Sequence, residues 1–173
     1  LADLAAEVQG RLDCAERGVV TATGVIANGP ALERWAGRLR SLPKISIGVH
    51  LNATLGRPLM PEMRAALART GGEFPSKEAL VAGVLAGRFP ASLIRAEWRA
   101  QIERCRAAGL DVVFLNSHEH VHALPALSQV VLKLAEEFAI EHVRVTTPEW
   151  GVVNTAAALF RNGALAAMRP FQP

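Results

Sequence analysis

The chain contains no tyrosine, and only two of its 173 residues are cysteine. Cys14 and Cys105 stand far apart, with no CxxC pair and no disulfide framework, so they are expected to be ordinary thiols in a reducing cytoplasm. No apolar run approaches the roughly 18 residues that a bilayer-spanning helix needs. The first residues, Leu1-Ala2-Asp3-Leu4, have neither an initiator Met nor a basic region, and so do not read as a signal peptide. Charge of one sign is also scarce: 19 Lys and Arg against 16 Asp and Glu leave a net charge of +3. Without aromatic-basic interleaving, that balance gives no nucleic-acid surface. There is no internal repeat and no low-complexity linker.

Half of the residues are hydrophobic and a fifth are charged, the balance of a soluble globular domain. Hydrophobic spacing predicts helices over 2–17, from about Pro30 to Leu42, and over 62–69, 77–87, 91–108, 125–139 and 154–167. Short β-rich runs at 19–27, 45–50, 111–118 and 143–147 separate them. Strands alternating with helices imply parallel βαβ units. Four strands are too few to close an eight-stranded barrel, so the expected fold is α/β, an incomplete or distorted (β/α) barrel of parallel strands. An open α/β sheet is the alternative. One domain over 1–173 is expected, cut at both ends: the chain opens directly in a helix and stops at Arg169-Pro170-Phe171-Gln172-Pro173.

In either architecture, chemistry gathers at the carboxyl ends of the strands. The second strand, Ile45-Ser46-Ile47-Gly48-Val49-His50, ends in His50. The third ends in His118 and runs on through Glu119, His120, Val121 and His122. A single histidine at a strand end ordinarily caps the strand. Three at i, i+2 and i+4 would share one face of an extended segment, and packing alone has little use for that. Neutral imidazole is a common ligand of divalent transition metals. His142 starts the fourth strand, at the opposite end, and reads as structural.

Three segments carry a resemblance. Gly18-Val19-Val20-Thr21-Ala22-Thr23 leads to Asn28-Gly29-Pro30. Gly48-Val49-His50-Leu51-Asn52-Ala53-Thr54 leads to Gly56-Arg57-Pro58-Leu59. Asn116-Ser117-His118-Glu119-His120-Val121-His122 leads to Leu124-Pro125. In order and spacing they are similar to the motifs of the YdjC-like (ChbG-type) carbohydrate deacetylases, a family that includes hopanoid-biosynthesis-associated relatives. Glu97 with Gln101, and Val143-Arg144, add weaker matches.

The resemblance implies a (β/α)-type barrel and a metal-dependent hydrolase that removes acetyl groups from N-acetylated sugars, of chito-oligosaccharide or glycolipid type. It implies His50 and His118 as metal ligands and Mg2+ as the ion; histidine ligands make Zn2+ a plausible alternative. His120 or His122 could protonate the departing amine. Asn52 and Thr54 could hydrogen-bond sugar hydroxyls, or could simply hold their own loop by an Asx-type turn. Arg144 could face the site or form an ion pair. Trp150 is the one tryptophan placed to act as a sugar platform. Glu97 and Gln101, four apart on one helix, read as a surface pair. A homodimer is possible.

Two departures bear on activity. The family opens on a strand that ends in an Asp-Asp motif, which supplies a third metal ligand and a base, and no Asp-Asp occurs in this chain. The Asp that precedes Ser-His in the family is Asn116 here, which keeps hydrogen bonding but loses the charge that raises a neighbouring imidazole's basicity. Two alternatives therefore stand beside the deacetylase: a catalytically impaired metal-binding relative, and another metal hydrolase on the same barrel.

Overall fold

The structure, a computed structural model, describes Gly10 and residues 12–42 and 44–144. Four parallel strands form one sheet in the order β1-β2-β3-β4: Ala22–Val25, Ser46–Leu51, Val112–Ser117 and His142–Val143. Besides the helical segment over 12–16, five α-helices among the described residues connect or flank them: α1 (Leu32–Arg40), α2 (Pro61–Ala66), α3 (Lys77–Leu85), α4 (Ala91–Ala107) and α5 (Pro125–Glu137). The parallel α/β order matches the expectation, and so does the single wall of a distorted barrel. The first turns of the helix expected over 2–17, the end of the strand expected over 143–147, the helix expected over 154–167 and Trp150 lie outside the described residues.

Local chemistry sets the helix limits. Pro61 and Pro125 occupy first positions, where a missing N–H costs nothing. Ser76 caps α3 by accepting the Ala79 N–H at 3.3 Å. Helix α4 buries Ile94, Trp98, Ile102 and Cys105, an i, i+4, i+8, i+11 stripe, against the sheet. Burial pushes the Cys105 thiol up to about 12, so it is an inert core residue; Cys14 is exposed.

Strand alternation divides the sheet into two faces. Ile47, Val49 and Leu51 of β2 and Val112 and Leu115 of β3 are buried in the core shared with the helices. Ser46, Gly48 and His50 occupy the other face. Between β2 and β3 the register shifts: Ile47 pairs with Val112, but Gly48 pairs with Phe114 and His50 with Asn116. Val113 is the extra residue, a bulge of the kind that re-aims side chains near functional sites. Phe114 then lies across Gly48. A Cβ on Gly48 would fall 2.3 Å from the Phe114 ring, so only glycine fits there.

On its outer side β1 has no strand partner among the described residues. A mainly apolar groove of about 580 Å³ runs along it, lined by Leu12, Val25, Trp35 and Leu39 among others. Arg38 of α1 bonds Glu16 at 2.9 Å and ties the helical segment over 12–16 to α1.

Candidate metal and hydrolase site

His50 and His118 stand at the carboxyl ends of adjacent strands, with ring centres 5.5 Å apart and planes at 74°. The Nδ1–H of His50 donates to Asn116 Oδ1 at 2.8 Å. An amide oxygen only accepts, so this bond puts the proton on Nδ1 and leaves Nε2 with its lone pair. The same arrangement is common behind metal-bound histidines, where it fixes ring angle and tautomer. Burial is the main cause holding His50 below the ordinary imidazole range; the neighbouring His118 and Arg144 charges add to this, and the Asn116 bond opposes it. Burial thereby favours the neutral ring that a metal ligand must be.

Gly24 makes room for this pair. A Cβ there would lie 3.2 Å from Asn116 Oδ1 and 3.3 Å from His50 Cβ. The sequence offered no signal for that role beyond a glycine inside a strand.

After Ser117 the chain does not stay extended. His118–Ala123 forms a kinked 3₁₀ segment in which Glu119 and His120 both adopt left-handed backbone, with φ of 52° and 58°. That conformation costs a side-chain-bearing residue roughly 1–2 kcal/mol, and such strain gathers at functional sites. The three histidines therefore do not share one face. His118 is half-buried, His120 is exposed and His122 is fully buried.

His122 uses all of its polar atoms within the protein. Its Nε2–H donates to the Arg144 carbonyl at 2.8 Å, its Nδ1 accepts the Ser117 hydroxyl at 2.6 Å, and its backbone N–H donates to Ser117 Oγ at 3.0 Å. Burial is the main cause that pushes its pKa down. With no exposed surface and both nitrogens engaged, His122 does not fit the acid role expected of it; His120 is the exposed imidazole of this turn, its ring centre 6.4 Å from that of His122. Ser117, passed over in the sequence, belongs to this arrangement.

Arg144 directly follows β4 and is exposed. Its N–H donates to the Leu115 carbonyl at 2.9 Å. No ion pair of Arg144 forms among the described residues, and its charge acts on both His50 and His122.

The loop after His50 is held from behind, and here two expectations change. Glu97 and Gln101 are fully buried, not a surface pair. Glu97 accepts the N–H groups of Leu59 at 3.0 Å and Met60 at 2.8 Å. Gln101 accepts the Asn52 N–H and donates back to the Asn52 carbonyl, both at 2.8 Å. Asn52 is buried and fully committed: Nδ2 donates to Asn28 Oδ1 and the Leu55 carbonyl, while Oδ1 accepts the Thr54 and Leu55 N–H groups. It has no polar atom left for a sugar and is the Asx hub of its loop. Thr54 differs: its buried Oγ1 has no partner among the described residues.

Two imidazoles, one anchored through its far nitrogen, suit a divalent ion as two of its ligands. No group of three His, Cys, Asp or Glu that could hold one forms among the described residues. A cavity of about 630 Å³ lies at the other, amino ends of the strands, lined by Asp111, Phe114 and His142 among others, away from this chemistry.

The sequence model of the YdjC-like proteins matches residues 5–172. The chain belongs to the YdjC-like family. It is 35% identical over 125 residues to a carbohydrate deacetylase of Oceanobacillus iheyensis, covering 71% of this chain and 52% of that protein. To a carbohydrate deacetylase of Geobacillus stearothermophilus it is 36% identical over 141 residues, covering 80% and 55%. To a chitooligosaccharide deacetylase of Citrobacter koseri it is 31% identical over 133 residues, covering 74% and 49%. The chain thus spans about half the length of these relatives. A crystal structure of a candidate cellobiose-phosphate cleavage protein from Enterococcus faecalis superposes with a TM-score of 0.67 at 27% identity, covering 91% of this chain and 59% of that one. The YdjC-like assignment and the four-stranded parallel sheet agree with the distorted-barrel reading. No helix among the described residues is long and apolar enough to cross a membrane.

Proposed function

We propose that this YdjC-like chain carries the metal-binding wall of a hydrolase that removes acetyl groups from N-acetylated sugars, chito-oligosaccharides first among them. The observation that carries this reading is the facing pair His50 and His118, with Asn116 fixing the tautomer of His50. The names of the curated relatives supply the substrate class.

In this reading His50 and His118 hold a divalent ion. Bound there, the ion would supply Lewis acidity toward the amide carbonyl and the attacking water. Mg2+ is the ion that family resemblance favours, and Zn2+ or Co2+ the ions that imidazole ligands favour. The chain's own groups do the rest. Arg144 brings a positive charge to the rim, where negative charge develops on the carbonyl oxygen. His120, exposed on its strained turn, gives a proton to the departing nitrogen, a role that imidazole commonly takes in general acid catalysis. Water adds to the carbonyl carbon, the C–N bond breaks, acetate leaves and the sugar keeps a free amine. This reading requires a base and a third ligand in addition to these residues.

A second reading, a metal-binding relative without catalysis, is favoured by Asn116 standing where the family has Asp. One experiment separates the two. Acetate release from N,N'-diacetylchitobiose is measured with Mg2+, Zn2+ or EDTA, for the wild type and for His50→Gln and His118→Gln. The deacetylase reading expects metal-dependent release that both substitutions abolish. Metal binding without release favours the second reading. Release that survives EDTA and both substitutions overturns both.

A further inference from the structure

We propose that His122 is a positioning residue, a neutral brace that holds the turn carrying His118 and His120 and seats Arg144 beside it. The proposal rests on the functional reading above and goes beyond it.

The residue joins three pieces of chain. Through Ser117 it reaches the last residue of β3, and through the Arg144 carbonyl it reaches the strand after it. Its own N–H closes the loop back onto Ser117 Oγ at 3.0 Å. The two Ser117 bonds clip the ends of the segment that contains His118, Glu119 and His120. Inside that clip sit the two left-handed residues, Glu119 and His120. A side-chain-bearing backbone in that conformation relaxes unless its surroundings hold it. The clip is what holds it here.

The bonds also fix the proton. The Arg144 carbonyl accepts only, so Nε2 carries the hydrogen. Nδ1 is then bare and takes the Ser117 hydroxyl hydrogen, while Ser117 Oγ takes the backbone N–H. Every donor meets an acceptor in one tautomer alone. Full burial favours the same neutral form. Such a group has no proton to trade with a substrate it cannot touch. What it can do is set where Arg144 stands: the Arg144 N–H is tied to Leu115 and its carbonyl to His122, so the residue leaves β4 in one direction.

The test uses the full chain with His122→Phe, His122→Gln and, should the Phe variant fail to fold, Ser117→Ala. Phenylalanine keeps the shape and removes both ring bonds; glutamine can restore a donor toward Arg144. Four readouts are taken: 15N chemical shifts of the His122 ring, Co2+ affinity by visible absorbance, kcat and KM for N,N'-diacetylchitobiose, and the pH profile of kcat. The brace expects an Nε2–H tautomer in the wild type. In the Phe variant it expects Co2+ affinity and kcat each lower by about tenfold, with KM little changed and the pH limbs in place. The Gln variant should recover part of both losses, and Ser117→Ala should show a smaller loss of the same kind. A folded Phe variant with wild-type Co2+ affinity and kcat would overturn the proposal and make His122 a packing residue only. Loss of one pH limb with no recovery by glutamine would also overturn it, in favour of proton transfer by His122. If the wild type releases no acetate, the functional reading fails, and the tautomer and Co2+ readouts still decide the brace.

Discussion

Asn116 receives the Nδ1–H of His50 at 2.8 Å, across the β2–β3 register that pairs the two residues. An amide oxygen orients the ring as a carboxylate would, but without a full negative charge behind it. A carboxylate in the same place would raise the basicity of His50 and its strength as a ligand.

The first prediction follows directly. Asn116→Asp should bind Co2+ about tenfold more tightly than the wild type, and Asn116→Leu about tenfold more weakly. Titration at pH 8, where proton competition for the imidazole is small, reads both. Equal affinity in all three proteins would show that Asn116 does not act through His50.

The loop beyond His50 should depend on Glu97. Glu97→Ala strands the N–H groups of Leu59 and Met60 and takes a partner from Gln101. Unsatisfied buried donors cost roughly 1–3 kcal/mol each, so a total near 3 kcal/mol is expected in urea unfolding. Glu97→Gln keeps one acceptor and should cost less. A surface pair would lose under about 0.5 kcal/mol in both variants.

Gly48→Ala should destabilise the fold by about 1–3 kcal/mol, because the new methyl enters the space of the Phe114 ring. Combining it with Phe114→Leu should return part of the loss, as expected of two residues that touch. Additive effects in the thermal unfolding of the four proteins would contradict the close approach.

Stability should also fall on acidification, and His122 should account for part of the fall. Its folded pKa lies below the ordinary imidazole value, with burial as the main cause. Between about 6.5 and that lower value the unfolded chain binds a proton that the folded chain refuses, so stability drops as pH drops, then levels. Above about pH 6.5 neither form is protonated and no penalty applies. His50 contributes in the same direction. His122→Phe should therefore have a shallower slope over this window, by up to about 1.4 kcal/mol per pH unit, in urea unfolding at stepped pH. An unchanged slope would mean that His122 titrates alike in both states.

Much of this was legible in the residues. The alternation of Ile47, Val49 and Leu51 marks β2 with one face toward the helices, and the rule of strand ends then points to His50. The third strand ends one residue before His118. What stayed hidden depended on contacts distant in sequence. Glu97 and Gln101 have surface spacing, and their partners, Asn52, Leu59 and Met60, lie 37 to 49 residues away. Only their position on the apolar side of α4, next to Ile94 and Trp98, hinted at burial. The turn at 118–123 was unreadable for another reason: it holds no glycine, asparagine or aspartate to mark left-handed backbone, and His and Glu enter that region too seldom to predict it. Gly24 and Gly48 carry no mark of their roles in the sequence, because the side chains they make room for, Asn116, His50 and Phe114, come from other strands.

The extra residue at Val113 makes the composition of the site a question of odd and even counting. Had the ladder run on from Ile47 and Val112 with no residue left out of the pairing, Val113 would stand beside Gly48 and Leu115 beside His50, while Asn116 would turn toward the helices. Every ligand and neighbour would keep its identity, and the imidazole would face an aliphatic wall. The pairing register thus decides whether His50 meets a polar floor or an oily one, with no substitution at the centre itself. Strand register is in that sense part of the chemistry of this site.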